Sequence, residues 1–240
     1  MDHAKQARIR ELHNKLHARL EGGILHLLNG QAMQDAFDAN GLMREGDGYA
    51  PFNEAMCSGE AAEPIFGEAF NRLRAAGHGV SPEEYARITL TPLQPLTEHR
   101  HSGIALWFGD DMFCQMNALT ALAYLNQTGY EGKLFFHMVK EAENQDEIEA
   151  VDIPPADYRA VYGQVLIERR FPAGTSLMPA MARGIELFLE YRKPENEITA
   201  FIRENQAKSR AELLKLLFEA FPHYGLGDMQ YLAIMEAMQA

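Results

Sequence analysis

The feature that most constrains this chain is a strand, turn, helix and strand run between residues 104 and 139. Ile104-Ala105-Leu106-Trp107-Phe108 is a continuous apolar run that breaks at Gly109. Residues 110–127 then bring Phe113, Leu119, Leu122 and Leu125 round at helical spacing. After Thr128-Gly129 the run Leu134-Phe135-Phe136-His137-Met138-Val139 reads as a second strand. Two strands joined through a helix of this length cannot form a hairpin, so the spacing predicts a parallel pair with a right-handed crossover. An earlier unit repeats the pattern: Ile24-Leu25-His26-Leu27-Leu28, the turn Asn29-Gly30, a helix over 31–40 and a stop at Gly41. The expected class is therefore α/β, with a small, mainly parallel Rossmann-like sheet in residues 23–140.

Sequence outside this unit reads as helix. Ile9, Leu12, Leu16 and Leu20 make a narrow apolar stripe on a helix over 3–21, ended by Gly22-Gly23, which suits packing on one neighbour and reads as an arm over residues 1–22. Self-association through that stripe is one expectation, and His13 and His17 read as exposed side chains beside it. Residues 63–76 and 82–88 look helical. From Glu141 to Asp152 there are six acidic residues and no basic one, followed by Pro154-Pro155, so residues 141–155 read as a solvated connection. Beyond it, 156–169, 178–192, 195–206, 210–221 and 228–240 all read as helices packed on the sheet. Ser209 fits an N-cap, and Gly225 and Gly227 separate the last two helices.

Composition narrows the function. Against 22 Lys and Arg stand 34 Asp and Glu, a net charge of −12, which repels phosphate backbones in the absence of a basic stripe. The stretch 210–240 carries only Arg210 and Lys215 as cations, so no recognition helix and no nucleic-acid partner are expected. No apolar run approaches the ~18–20 residues of a membrane span. With two cysteines, Cys57 and Cys114, in unrelated surroundings, a reduced cytoplasmic protein without a membrane partner is the economical expectation. No metal set is legible, and no cofactor can be named: the chain lacks both Gly-x-Gly-x-x-Gly and the P-loop pattern.

The candidate chemistry sits where open parallel sheets bind ligands, outside the carboxyl ends of their strands. Gly109, Asp110 and Asp111 follow one strand at a helix N-terminus, and Gln115 and Asn117 add amides within the next turns. Capping by one Asp and solvation of the other is the plain alternative. Asn29, Gly30 and Gln31 follow the first strand, where backbone N–H groups at a glycine turn can hold an anion; a turn needing positive φ explains the same residues. Asn53 and Glu54 lie in Pro51-Phe52-Asn53-Glu54, as a carboxylate at a strand end would. Asp110 and Glu54 are the candidate catalytic acids, as general base or cation ligand. Cys57 beside Ser58 and Gly59 invites a nucleophile, but a small buried hydrophobe is the commoner role. His99 and His101 project alike in extended chain, yet they enter at the amino end of the 104–108 strand, roughly 17–20 Å from Asp110, and read as a solvated approach.

Four segments together resemble a bacterial family called domain of unknown function 1835. They are the first strand with Asn29-Gly30, Phe52-Asn53-Glu54-x-x-x-Ser58-Gly59, the block from Leu106 to Asn117, and Phe221-Pro222-x-x-Gly225-Leu226. The resemblance spans roughly residues 24–240, is most specific at Trp107–Asn117, and leaves the N-terminal helix outside. Members of that family often carry Gly-Asp-Ser where this chain has Gly30-Gln31-Ala32. The resemblance implies the architecture and assigns no activity. The leading expectation is a small-molecule ligand, a nucleotide or phosphate ester, bound at the strand ends by a hydrolase or transferase. The alternative is a regulatory or interaction module that self-associates as a homo-oligomer through its N-terminal helix.

Overall fold

The computed structural model describes residues 1–98, 100–140 and 147–238. Its N-terminal part runs α1 (His3–His17), β1 (Ile24–Leu28), α2 (Gln31–Ala39), β2 (Gly48–Pro51), α3 (Glu68–His78) and α4 (Pro82–Tyr85), which continues into a π-helical turn at Ala86–Leu90. Then come α5 (Gln94–Thr97), β3 (Gly103–Phe108), α6 (Met112–Gln127), β4 (Lys133–Lys140) and β5 (Glu147–Val151). The helical remainder is α7 (Tyr158–Tyr162) with a second π-helical turn at Gly163–Ile167, then α8 (Pro179–Tyr191), α9 (Glu197–Glu204), α10 (Arg210–Ala220) and α11 (Asp228–Ala237).

The strands form one five-stranded sheet in the order β2-β1-β3-β4-β5, parallel except for β5. The α/β class with a mainly parallel, Rossmann-like sheet is thus the fold of this chain. Register fixes what each face buries, because side chains alternate along a strand. Leu25, Leu27, Ile104, Leu106, Phe108, Phe136 and Met138 point to one side and share a core with α6 and the C-terminal helices. Ile24, Leu28, Ala105, Trp107 and Val139 point to the other, where α1 and α2 cover them with Ile9, Leu12, Leu16 and Phe37. Helix α6 is buried almost all round, from Met112 to Leu125, as expected of a helix without a polar face, and lies between the sheet and α7 and α8.

Three parts differ from their sequence expectation. The N-terminal helix is no arm: Ile9, Leu12 and Leu16 are buried on the chain's own sheet, so the stripe that suggested self-association is occupied within the molecule. His13, expected on the surface, is buried with them. The acidic connection begins outside the described residues at 141–146, but Glu147–Val151 adds β5 antiparallel to β4, with Ile148 buried and Glu147 and Glu149 exposed. Strand alternation there outranks the charge count, because one apolar face suffices to dock an edge strand. His99 also lies outside the described residues. Among the described residues no helix is long and apolar enough to cross a membrane.

Candidate functional site

Strand order locates the candidate crevice. β1 lies between β2 and β3; the chain leaves β1 through α2 on one face and leaves β3 through α6 on the other. The connections diverge at the carboxyl ends of β1 and β3, which opens the crevice where open α/β sheets take their ligands. Asn29 is anchored there by its N–H, which donates to the Trp107 carbonyl at 3.1 Å. Its side chain reaches across the crevice: Nδ2 donates to Cys114 Sγ at 2.9 Å, and Oδ1 accepts from Asn117 Nδ2 at 3.4 Å. Residues Asn29, Cys114 and Asn117 therefore form one linked set across the β1–β3 gap.

The two helix N-termini at this crevice differ. At α6, Asp111 is the N-cap and accepts the Cys114 N–H at 2.8 Å. Its carboxylate is buried, which raises its pKa, and it is seated against glycines: a Cβ at Gly109 would lie 2.7 Å from Oδ2, and one at Gly225 would collide with Oδ1. Gly225, at φ 63°, is thus required twice, by its backbone and by Asp111. At α2 the N-cap is Gly30, with φ 86°, and no side chain caps the helix. The backbone N–H groups of that first turn thus lack a side-chain acceptor among the described residues. Beside this turn a cavity of about 270 Å³ is lined by Asn29, Ala32, Met33, Phe37 and Trp107, and by Lys5 and Ile9 of α1.

Not every expected site residue serves the crevice. Asn117 is fully buried and splices loops together, accepting the Met56 N–H at 3.0 Å and donating to the Glu54 carbonyl at 2.7 Å. Gln115 turns away toward α8, where a Cβ at Gly184 would lie 2.7 Å from its own; Nε2 donates to the Gly109 carbonyl, and Oε1 has no partner among the described residues. Asn53 donates to the Ile88 carbonyl at 2.9 Å and reaches Gln31 Oε1 at 3.5 Å, while its own carbonyl accepts from Thr89. The π-helical turn that carries Ile88 and Thr89 therefore fixes the β2 end of the crevice.

Glu54 departs furthest from its expected part. Its carboxylate is buried and takes hydrogen bonds from Arg74 Nη2 at 2.6 Å, the Tyr85 hydroxyl at 2.6 Å and the Ala55 N–H at 3.0 Å, with His78 Nε2 at 3.0 Å. Burial alone would raise its pKa, but His78 and the Arg74 guanidinium hold it down at about 2. The same burial, with Glu54 beside it, pushes the Tyr85 hydroxyl up. A carboxylate whose lone pairs are committed to four donors is an anchor for the β2–α3 loop rather than a base or a cation ligand. Asp110 differs: it is exposed and makes no hydrogen bond or ion pair among the described residues. Cys57 is buried and its thiol is pushed up to about 12, chiefly by burial, which fits the small-hydrophobe role. Among the described residues no group of three or more His, Cys, Asp or Glu is placed to hold a metal ion.

Sequence reasoning missed Cys114 and the α1 residues of the cavity. Cys114 carried a signal, since it stands in the first turn of a helix that follows a parallel strand. Lys5 and Ile9 carried none, because only the docking of α1 brings them to the crevice. Comparison with family models, with curated proteins and with solved structures finds no match for this chain.

Proposed function

We propose that this protein binds a small anionic molecule with an apolar body, a nucleotide or phosphate ester, in the crevice between the carboxyl ends of β1 and β3. The observation that carries this reading is the uncapped N-terminus of α2 opening on an apolar cavity at the topological switch point. Unsatisfied N–H groups and the positive end of the helix dipole favour an anion there. Gly30 lets the chain turn close to such a group without a Cβ in the way. The neighbouring N-terminus, at α6, is already filled by Asp111, so the anion has one place to go. Met33, Phe37, Ile9 and Trp107 supply an apolar wall for the rest of the ligand, and Asn29 and Lys5 its polar contacts. Where the bound ester is also turned over, Asp110 is the carboxylate left for general-base work, because Glu54 and Asp111 are committed elsewhere.

The test is a thermal-shift screen against nucleotides, sugar phosphates and inorganic phosphate, repeated on Ala32→Asp. A ligand at ~100 times its Kd adds about 2.7 kcal/mol of stability. An aspartate in the first turn of α2 supplies the helix with its own anion, which favours folding and competes with the ligand. A stabilising phosphate compound whose effect Ala32→Asp abolishes supports the reading. A hit that Ala32→Asp leaves untouched moves the site away from α2 and sinks it.

A further inference from the structure

Beneath α1 the sheet carries a buried histidine cluster that the ligand crevice does not use. Trp107 of β3, the single tryptophan of the chain, is at its centre and wholly buried. Its Nε1 donates to His26 Nδ1 of β1 at 3.1 Å, so His26 must be neutral, with its proton on Nε2, which lies 3.3 Å from Asp47. His13 of α1 lies tilted against His26 with ring centroids 4.5 Å apart, and the His137 ring of β4 lies 4.2 Å from that of Trp107 on the other side. His13 Nε2 and both ring nitrogens of His137 have no hydrogen-bond partner among the described residues.

The charged and titratable surroundings offer these rings little help as cations. Asp47, in the loop before β2, faces His26, but it already takes His17 Nε2 of α1 at 2.8 Å and the Ile24 N–H at 3.0 Å. Arg8 of α1 repels a charge on His137. Tyr49 of β2 stacks on His26 at 4.8 Å and is itself a neutral phenol, and His101, before β3, repels a charge on His26. One carboxylate thus serves a cluster in which three imidazoles are packed as neutral rings.

We infer that α1 is an acid-released latch over the ligand cavity, held on the sheet by neutral His13, His26 and His137 around Trp107 and driven off when they take up protons. The latch deepens the small-molecule reading of the cavity and rests on it, because Lys5 and Ile9 of the same helix form the cavity wall. Burial holds His13 and His137 down to about 3 and lowers His26 as well, against 6.5 for an ordinary histidine. A group whose proton affinity is depressed in the docked state stabilises docking fully above its free value and ceases to do so as pH falls. Docking is therefore complete above about pH 6.5 and weakens steeply between 6.5 and 3, with uptake of up to three protons. Protonating His26 also breaks its bond from Trp107, since imidazolium has no acceptor nitrogen.

The experiment follows Trp107 emission and amide exchange of the full chain from pH 8 to 4, with no ligand present. A red shift steeper than a one-proton titration is expected, with α1 amides losing protection while α6 amides keep theirs, and with the cavity-wall side chains Met33 and Phe37 becoming open to hydroxyl-radical labelling at the same midpoint. His13→Leu should lower the midpoint and reduce the slope by about one proton. His137→Leu, a change on the sheet and not on α1, should do the same and serves where the first variant folds poorly. Simultaneous loss of protection in α1 and α6, midpoints unmoved in both variants, or α1 release that leaves Met33 and Phe37 unlabelled would each overturn the latch. Because no ligand enters the measurement, a silent ligand screen and an immobile α1 are separate failures.

Discussion

One face of the sheet presents Leu25, Leu27, Leu106, Phe108 and Phe136, sealed by the almost wholly buried α6; the other presents His26, Trp107 and His137 under the amphipathic α1. Both faces are buried, and both are closed by a helix. What differs is how their stability depends on solution conditions. On the α6 face the buried charge is paired, Glu54 with Arg74, and Asn117 bonds the Glu54 carbonyl, with Gln115 Oε1 the neutral exception, whereas the α1 face holds His13 Nε2 and both His137 ring nitrogens, all basic atoms, without a partner among the described residues. A buried charge with its partners in place resists acid until very low pH. A buried neutral base does not, because water offers it a proton at a pH where the carboxylates are still ionised. The sheet should accordingly lose its two covers in sequence as pH falls. The α1 cover goes first, below 6.5, while the Glu54 contribution, complete above about 4.5, is lost only as pH falls toward 2.

The sharpest way to break this contrast is to leave the α6 face with an uncompensated charge. Arg74→Met strands the Glu54 carboxylate and should cost about 3–5 kcal/mol in urea unfolding, with much of the loss recovered when Glu54→Gln is added. Recovery would show that the buried pair, not the loop around it, is what the α6 face depends on. Next in size, Leu12→Ala removes a buried contact of α1 and should cost about 2–5 kcal/mol. Its signature is local: Trp107 emission shifts and α1 exchanges faster, while α6 stays as protected as before. A variant that loosened both faces equally would mean that they do not open separately. Smallest, Gly225→Ala presses a methyl into Asp111 from a left-handed backbone and should cost about 1–3 kcal/mol in thermal unfolding. Asp111→Ser, a smaller cap, should relieve most of that cost in the double variant.

How much of the site was legible follows from the range of each interaction. Asp111 as a helix cap and the turn at Gly30 could be read locally, because the N–H groups they serve lie within a few residues. Glu54 was readable as a carboxylate at a strand end, but its partners Arg74, His78 and Tyr85 lie 20 to 31 residues away on other elements. His13 looked exposed on a narrow stripe because nothing near it in the chain indicates that the helix lies on His26 and Trp107. The β5 strand was hidden by its own charge count, since five residues need only Ile148 facing inward to join an edge.

The sequence by itself determined the alternation of strands and helices, the parallel crossover from β3 to β4, the breaks at glycines and the acidic surface. These depend on periodicity, local capping and composition, which are properties of neighbouring residues. Only the tertiary structure decided which carboxylate is free and which is committed, which helix N-terminus is filled, and that α1 closes over a neutral histidine cluster. Those outcomes turn on burial and on partners far apart in the chain, and a titratable side chain takes its charge from what surrounds it, not from its place in the sequence.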